Sequence, residues 1–293
     1  MNKIDLHMHT SMSNDGTYTP EVLTKMCHEA GLEIIAIADH NSTKAYSYAK
    51  PIADAYGMRL IPAVELDCHI DGTNLHVLGY GIDPFNPVFN EYEEFIASQE
   101  RETSKVTVEK IRELGIHLDE DALKTIAING VITGEMIAEV ALHDPINESN
   151  KLLFPYLNGG TRSDNPYVNF YWDYCAQGKV AYSHIDFKTI DEIVKMIKDA
   201  DGFAVLAHPG NNIKTNVEIF NKIIDKGVEG VEVYSSYHSP EVTTHYLDLA
   251  LKHDLIITIG SDFHGKTKPS IHLGKFEIDN ESLLTNRFLT KLK

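Results

Sequence analysis

The chain has 293 residues, 43% hydrophobic and 24% charged, a globular balance that fits one barrel with an insertion or two separate domains. It has no apolar run of about 18 residues to span a membrane, the MNKIDLHMHT start lacks the apolar stretch of a secretory signal, and the widely spaced Cys27, Cys68 and Cys175 suit neither a disulfide framework nor a thiolate zinc site, so a cytoplasmic protein is expected. A net charge of -17 disfavours sequence-independent binding to long double-stranded nucleic acid, although bound divalent ions would make one cleft locally positive.

In chain order, apolar or alternating runs predict strands at 3–7, 34–38, 60–64, 75–80, 203–207, 230–234 and 256–260. Thr19-Pro20 opens a helix that Gly31 ends. Thr189 with Glu192, and Thr215 with Glu218, read as capping boxes, and Ser239-Pro240 opens a last helix. Strands alternating with helices predict parallel pairing through crossovers, hence an α/β protein with a distorted seven-stranded (β/α) barrel. From about 87 to 178 no strand pattern occurs. A long helix over 88–114 ends at Gly115, a shorter one follows near 119–128, and Asn, Gly, Asp and Pro dominate the rest. The expected organisation is a first barrel part over 1–86, a helical insertion over 87–178 and a second barrel part over 179–293.

The histidines carry the chemistry. His7 and His9 alternate on the first strand, so both project to one face near its C-terminal end, where barrel active sites are built. His40, Glu65, His76 and His208 lie at or near other strand ends, Asp262 and His264 are again two apart, and Asp15 follows in the Asn14-Asp15-Gly16 turn. Any one of these could be a hydrogen-bonded core residue or a turn residue. Together, six histidines and three carboxylates at one end, with almost no cations beside them, would leave buried carboxylates unpaired at several kcal/mol each. Divalent metal ions would remove that cost. Asp39 and Asn41, flanking His40, are expected to support the site or its turn.

The stretches DLHMHT, the Asp15-Gly16 turn, ADHN, the Glu65 strand, HVLGY, AHPG and GSDFHG resemble the PHP (polymerase and histidinol phosphatase) family over 1–85 and 179–270. The resemblance implies a trinuclear centre of manganese, iron or zinc. It assigns His7, His9, Glu65 and Asp262 to a first ion, with Glu65 bridging to a second held by His76 and His208. Asp15, His40 and His264 would hold a third. VEVYSSYHSPE, GKVAY and the helix over 101–116 are similar to the branch that acts on 3′,5′-bisphosphonucleosides and short oligonucleotides. The Arg-Pro-His segment common in that branch is replaced here by Val131–Met136, and Arg162 is a candidate substitute for its arginine.

The resemblance therefore implies a phosphoesterase acting on a small anionic phosphate ester, and the sequence specifies no oligomeric state. Metal binding brings the pKa of water toward ~7, giving a nucleophile at neutral pH. His238, after the sixth strand, is a candidate contact to phosphate or proton donor to the leaving oxygen. A histidinol-phosphate-type phosphatase would use the same metal site and differ in the pocket built by the insertion. A non-catalytic metal-binding or regulatory module is the reading from outside enzymes, and the complete set of nine ligands argues against it. Amidohydrolase chemistry usually adds a ligating lysine at a strand end, which is not seen.

Overall fold

A computed structural model describes residues 3–276, 278 and 287–292. Seven strands lie in chain order in one sheet: β1 (Ile4–Asp5), β2 (Ile34–Ile37), β3 (Arg59–Ile70), β4 (Thr73–Tyr80), β5 (Phe203–Leu206), β6 (Gly230–Ser235) and β7 (Ile256–Gly260). The ends meet. Leu6 N–H donates to Ile259 O at 3.0 Å and Asp262 N–H to His7 O at 2.8 Å, so the sheet is a nearly closed, distorted barrel.

Parallel pairing holds for β1–β2–β3 and β5–β6–β7, but β4 is antiparallel to both of its neighbours. The cause is local. Asp71 and Gly72 both have positive φ, 48° and 78°, which is the backbone of a tight two-residue hairpin and the role that an Asp-Gly pair fills. β3 accordingly runs on to Ile70 instead of stopping near residue 64. His76 thus lies inside the descending strand, not at a strand's C-terminal end.

The helices are α1 (Pro20–Glu29) and α2 (Ala45–Ala55) beside the first strands, then α3 (Pro87–Glu113), α4 (Glu120–Ile126), α5 (Gly134–His143) and α6 (Pro166–Phe170) between β4 and β5. α7 (Ile190–Asp199) leads into β5, and α8 (Pro209–Asn212), α9 (Val217–Asp225) and α10 (Pro240–Lys252) follow. Thr19 and Ser239 cap α1 and α10 as expected, and Thr189 with Glu192 forms the capping box of α7. α9 departs from expectation: Asn216, not Thr215, is its cap, its side chain accepting from Ile219 N–H at 3.1 Å.

Two apolar clusters serve the barrel and its outer helices, and a third, with Val108, Ile137 and Phe170, belongs to the helices between β4 and β5. α3 serves both: Phe89, Tyr92 and Ile96 pack into the barrel cluster, whereas Val108 and Ile111 pack into the third. Along its barrel half, Tyr92 O–H donates to Asp67 O at 2.5 Å and Glu100 accepts from Asn14 Nδ2 at 3.0 Å. That half therefore runs beside the loops at the strands' C-terminal ends.

Candidate metal centre

All nine residues singled out in the sequence come together at that end of the barrel. Three overlapping groups place their ligand-type atoms within 4.8 Å of one another: His7, His9, Glu65 and Asp262; Glu65, His76 and His208; and His9, Asp15, His40 and His264. Glu65 joins the first two. Its Oε2 lies 3.1 Å from His7 Nε2 and 3.2 Å from His9 Nε2, while its Oε1 lies 3.0 Å from both His76 Nδ1 and His208 Nε2. Asp262 Oδ1 is 2.9 Å from His9 Nε2, and Asp15 Oδ2 is 2.9 Å from His264 Nε2.

The outer ring nitrogens fix the tautomers. Nδ1 of His7 faces Glu232 Oε1 at 3.0 Å, Nδ1 of His9 faces Ser13 Oγ at 3.2 Å, Nδ1 of His208 faces Asn212 Oδ1 at 3.1 Å and Nδ1 of His264 faces Asp262 O at 2.9 Å. Each partner is an acceptor, Ser13 having given its own hydrogen to Asp39, so Nδ1 carries the proton and Nε2 presents a lone pair inward. With both rings neutral, Nε2 of His7 and Nε2 of His9 face each other at 3.1 Å as two lone pairs, a contact that needs a proton or a cation. Asp15 Oδ1, Glu65 Oε2, Asp262 Oδ1 and His264 Nε2 are also buried without a hydrogen-bond partner. Lone pairs pointing at lone pairs and carboxylates need cations among them, and this mixed imidazole and carboxylate set suits divalent transition metals.

The electrostatics agree. Burial opposes ionisation of Glu65, but His7, His40 and His76 outweigh it and hold its carboxyl well below the usual range. Burial likewise opposes charge on His7, yet Glu65, Glu232 and Asp262 hold its pKa well above an ordinary imidazole, so without a metal its Nε2 carries a proton, in the place where a bound cation would stand. Burial and the neighbouring His264 push His9 down to about 4, keeping it a neutral donor at physiological pH. Two of the nine, His208 and Asp262, have φ of 22° and 56°, a left-handed region that non-glycine residues seldom adopt.

Asp39 organises the first loop. It accepts from Thr10 N–H at 2.6 Å, Thr10 Oγ1 at 2.7 Å and Ser13 Oγ at 2.7 Å, and burial raises its pKa to about 7 despite those bonds. Asn41 orients Asp67, donating from Nδ2 to Oδ2 at 2.6 Å.

Four further residues surround the nine. Asp67 Oδ1 lies 3.1 Å from His76 Nε2 and forms a fourth close group with His40 and His76. It stands two residues after Glu65, so alternation along a longer β3 would have found it. Glu232 is fully buried in an otherwise apolar strand, a signal visible in Val231-Glu232-Val233. Tyr237 O–H and Lys268 Nζ both donate to Asp262 Oδ2, at 2.6 and 2.7 Å. Lys268 corrects the expectation that almost no cation stands beside the cluster, and no periodicity announces it.

The two candidate substrate contacts lie differently. His238 Nδ1 donates to Val233 O at 2.8 Å and its Nε2 accepts from Gly210 N–H at 3.1 Å, so backbone uses both nitrogens. Arg162 is paired with Asp173 through Nε and Nη2, each at 3.0 Å, and Nη2 also reaches Asn169 O at 3.4 Å. Among the described residues, none of its bonds leads to the nine.

A family model for the PHP domain matches residues 5–139. The chain is a metal-dependent phosphoric ester hydrolase that resembles the PHP family over that part. It is 28% identical to the 5′-3′ exoribonuclease Rnm of Salmonella typhimurium, over 92% of this chain and 88% of that one. It is 26% identical to the 3′,5′-nucleoside bisphosphate phosphatase of Chromobacterium violaceum, over 94% and 92%. A crystal structure from Bifidobacterium adolescentis, of a protein inferred to be a metal-dependent phosphoesterase, superposes with a TM-score of 0.78 at 26% identity, covering 98% of this chain and 96% of the other. No helix among the described residues is long and apolar enough to cross a membrane.

Proposed function

We propose that the chain hydrolyses a small phosphate monoester of a nucleotide, a 3′,5′-bisphosphonucleotide or a short oligonucleotide, using three divalent ions. The observation that carries this reading is Glu65, whose two oxygens serve two adjoining groups of inward-facing imidazoles. His7, His9, Glu65 and Asp262 would hold the first ion, Glu65, His76 and His208 the second, and Asp15, His40 and His264 the third. Bound there, manganese, iron or zinc supplies Lewis acidity, lowering the pKa of water toward ~7 and neutralising phosphate oxygens.

The chain's own residues hold that arrangement still. Glu232, Ser13, Asn212 and the Asp262 carbonyl keep four histidines in the ligating tautomer, and Tyr237 turns Oδ1 of Asp262 inward. His40 and His76 are the most exposed of the proposed ligands, with side chains 21% and 26% accessible, so substrate enters on their side. Arg162 is left out of the substrate site because its Nε and Nη2 pair with Asp173 and, among the described residues, none of its bonds leads to the nine, and His238 because backbone uses both of its ring nitrogens. The organisation proposed is a barrel over 1–86 and 179–293 and an insertion over 87–178, supported by the insertion's separate apolar cluster.

The nucleotide is favoured by the names of the relatives, and the -17 charge favours short substrates over long polyanions. Turnover of phosphomonoesters, bisphosphonucleotides and oligonucleotides by Mn²⁺-supplemented protein tests the proposal. Bisphosphonucleotides or short oligonucleotides should be the best substrates, and failure to cleave any phosphate ester would refute the reading.

A further inference from the structure

Lys268 is only 7% exposed, in a chain whose other ion-paired lysines stand at half-exposed or exposed positions. A lysine is rarely buried to that extent without a purpose for its charge. Its Nζ makes one hydrogen bond, 2.7 Å to Asp262 Oδ2, and lies 5.3 Å from the centre of the Tyr237 ring. An ammonium group has three hydrogens, so two are left with no protein acceptor. Asp262 Oδ2 does not need the lysine for its own sake, because Tyr237 O–H already donates to it at 2.6 Å.

The fold delivers this residue deliberately. The short turn Gly265–Thr267 follows His264 directly and ends at Lys268, whose N–H donates to Gly265 O at 3.1 Å. Thr267 Oγ1 ties the same turn to Asp15 O at 2.7 Å. The charged groups around Lys268 are Asp262 and His264 from its own segment and Glu135 from the first turn of α5. Among the described residues it is the only lysine or arginine ion-paired to one of the nine.

We propose that Lys268 is a substrate-binding residue, its two free N–H groups taking a non-bridging oxygen of the phosphate ester beside Asp262. It would fill from the barrel side the role that Arg162, paired with Asp173 and without a bond to the nine among the described residues, leaves open. The inference rests on the phosphoesterase reading. It differs from a role as a strut for Asp262, which would act through metal retention and not through phosphate.

The test uses metal-loaded protein, titrated calorimetrically with inorganic phosphate and assayed on a generic aryl phosphate, with metal content measured on the same samples. Lys268→Met should weaken phosphate binding and raise KM by ~10-fold or more, the size expected of charged hydrogen bonds, with smaller change in kcat and unchanged metal content. Lys268→Arg should recover part of the loss, and Lys266→Met, two residues earlier and paired with Glu139 at the surface, should match wild type. Phosphate affinity of Lys268→Met within about twofold of wild type overturns the proposal, as does metal loss that accounts for the whole defect. Should Lys268→Met not fold, Lys268→Gln and phosphate protection of wild-type Lys268 from reductive methylation give the same decision, absence of both effects overturning it. Wild-type protein that neither binds phosphate nor cleaves any ester defeats the phosphoesterase reading itself; an active wild type with an indifferent Lys268→Met defeats this inference alone.

Discussion

Glu232 ties His7 to the backbone of His208: its Oε1 accepts from His7 Nδ1 at 3.0 Å while its Oε2 accepts from the His208 amide at 2.9 Å. One buried carboxylate thus sets a ring tautomer in the first close group and holds the strained backbone of His208 in the second. Glu232→Gln should weaken divalent metal binding by ~10–100-fold, the usual cost of losing such a support. Competition against a fluorescent chelator measures it, and unchanged affinity would mean that packing alone orients His7.

Gly260 makes that contact possible. A Cβ there would stand 2.2 Å from His7 Cβ and 2.4 Å from Glu232 Oε1. Gly260→Ala should therefore cost about 1–3 kcal/mol of stability through overpacking, together with lower metal occupancy. Urea unfolding of the chelated protein isolates the stability term, and a midpoint equal to wild type would contradict it.

Metal removal should destabilise the whole protein, because Glu65, Asp262 and Asp15 each bury an oxygen without a partner. Restoring Mn²⁺ to 100 times its dissociation constant should add about 2.7 kcal/mol per ion that binds only the folded state. Calorimetric melting with and without chelator reads this directly. Coincident melting curves would argue against ions at these positions.

Asp262→Ala or His9→Ala should reduce phosphoesterase turnover by several orders of magnitude while far-UV circular dichroism stays unchanged, since each removes a proposed ligand of the most buried ion. Asp67→Asn should be milder, about tenfold in metal affinity, because Asp67 acts on His76 from outside. The order of the two effects is the check: an Asp67 variant as inactive as the Asp262 variant would make Asp67 a ligand in its own right.

The barrel and the nine residues were readable because both rest on short-range patterns. Seven apolar runs mark seven strands, and His7 with His9, like Asp262 with His264, declares its common face by alternation. What escaped lies in longer-range geometry. The reversal of β4 was written in Asp71-Gly72, but the alternating strand and helix order spoke for parallel pairing. Asp67 was hidden by ending β3 too early. Lys268 could not be read because it reaches Asp262 from an irregular turn. Arg162 drew notice as a cation in the right segment, yet its pairing with Asp173 is set by the fold of the insertion and leaves no trace in spacing.

The reversed strand has a consequence for how such a protein can diversify. Tyr80, the last residue of β4, is in register with Phe203, the first of β5. Everything between them therefore departs and returns at two hydrogen-bonded neighbours in the wall. The part of it between the barrel half of α3 and α7, which has its own apolar cluster, can be lengthened, shortened or exchanged without shifting any strand against another, and without moving Glu65, His76 or His208. Natural selection can refit the roof over the reacting phosphate while the hearth beneath it stays as it was.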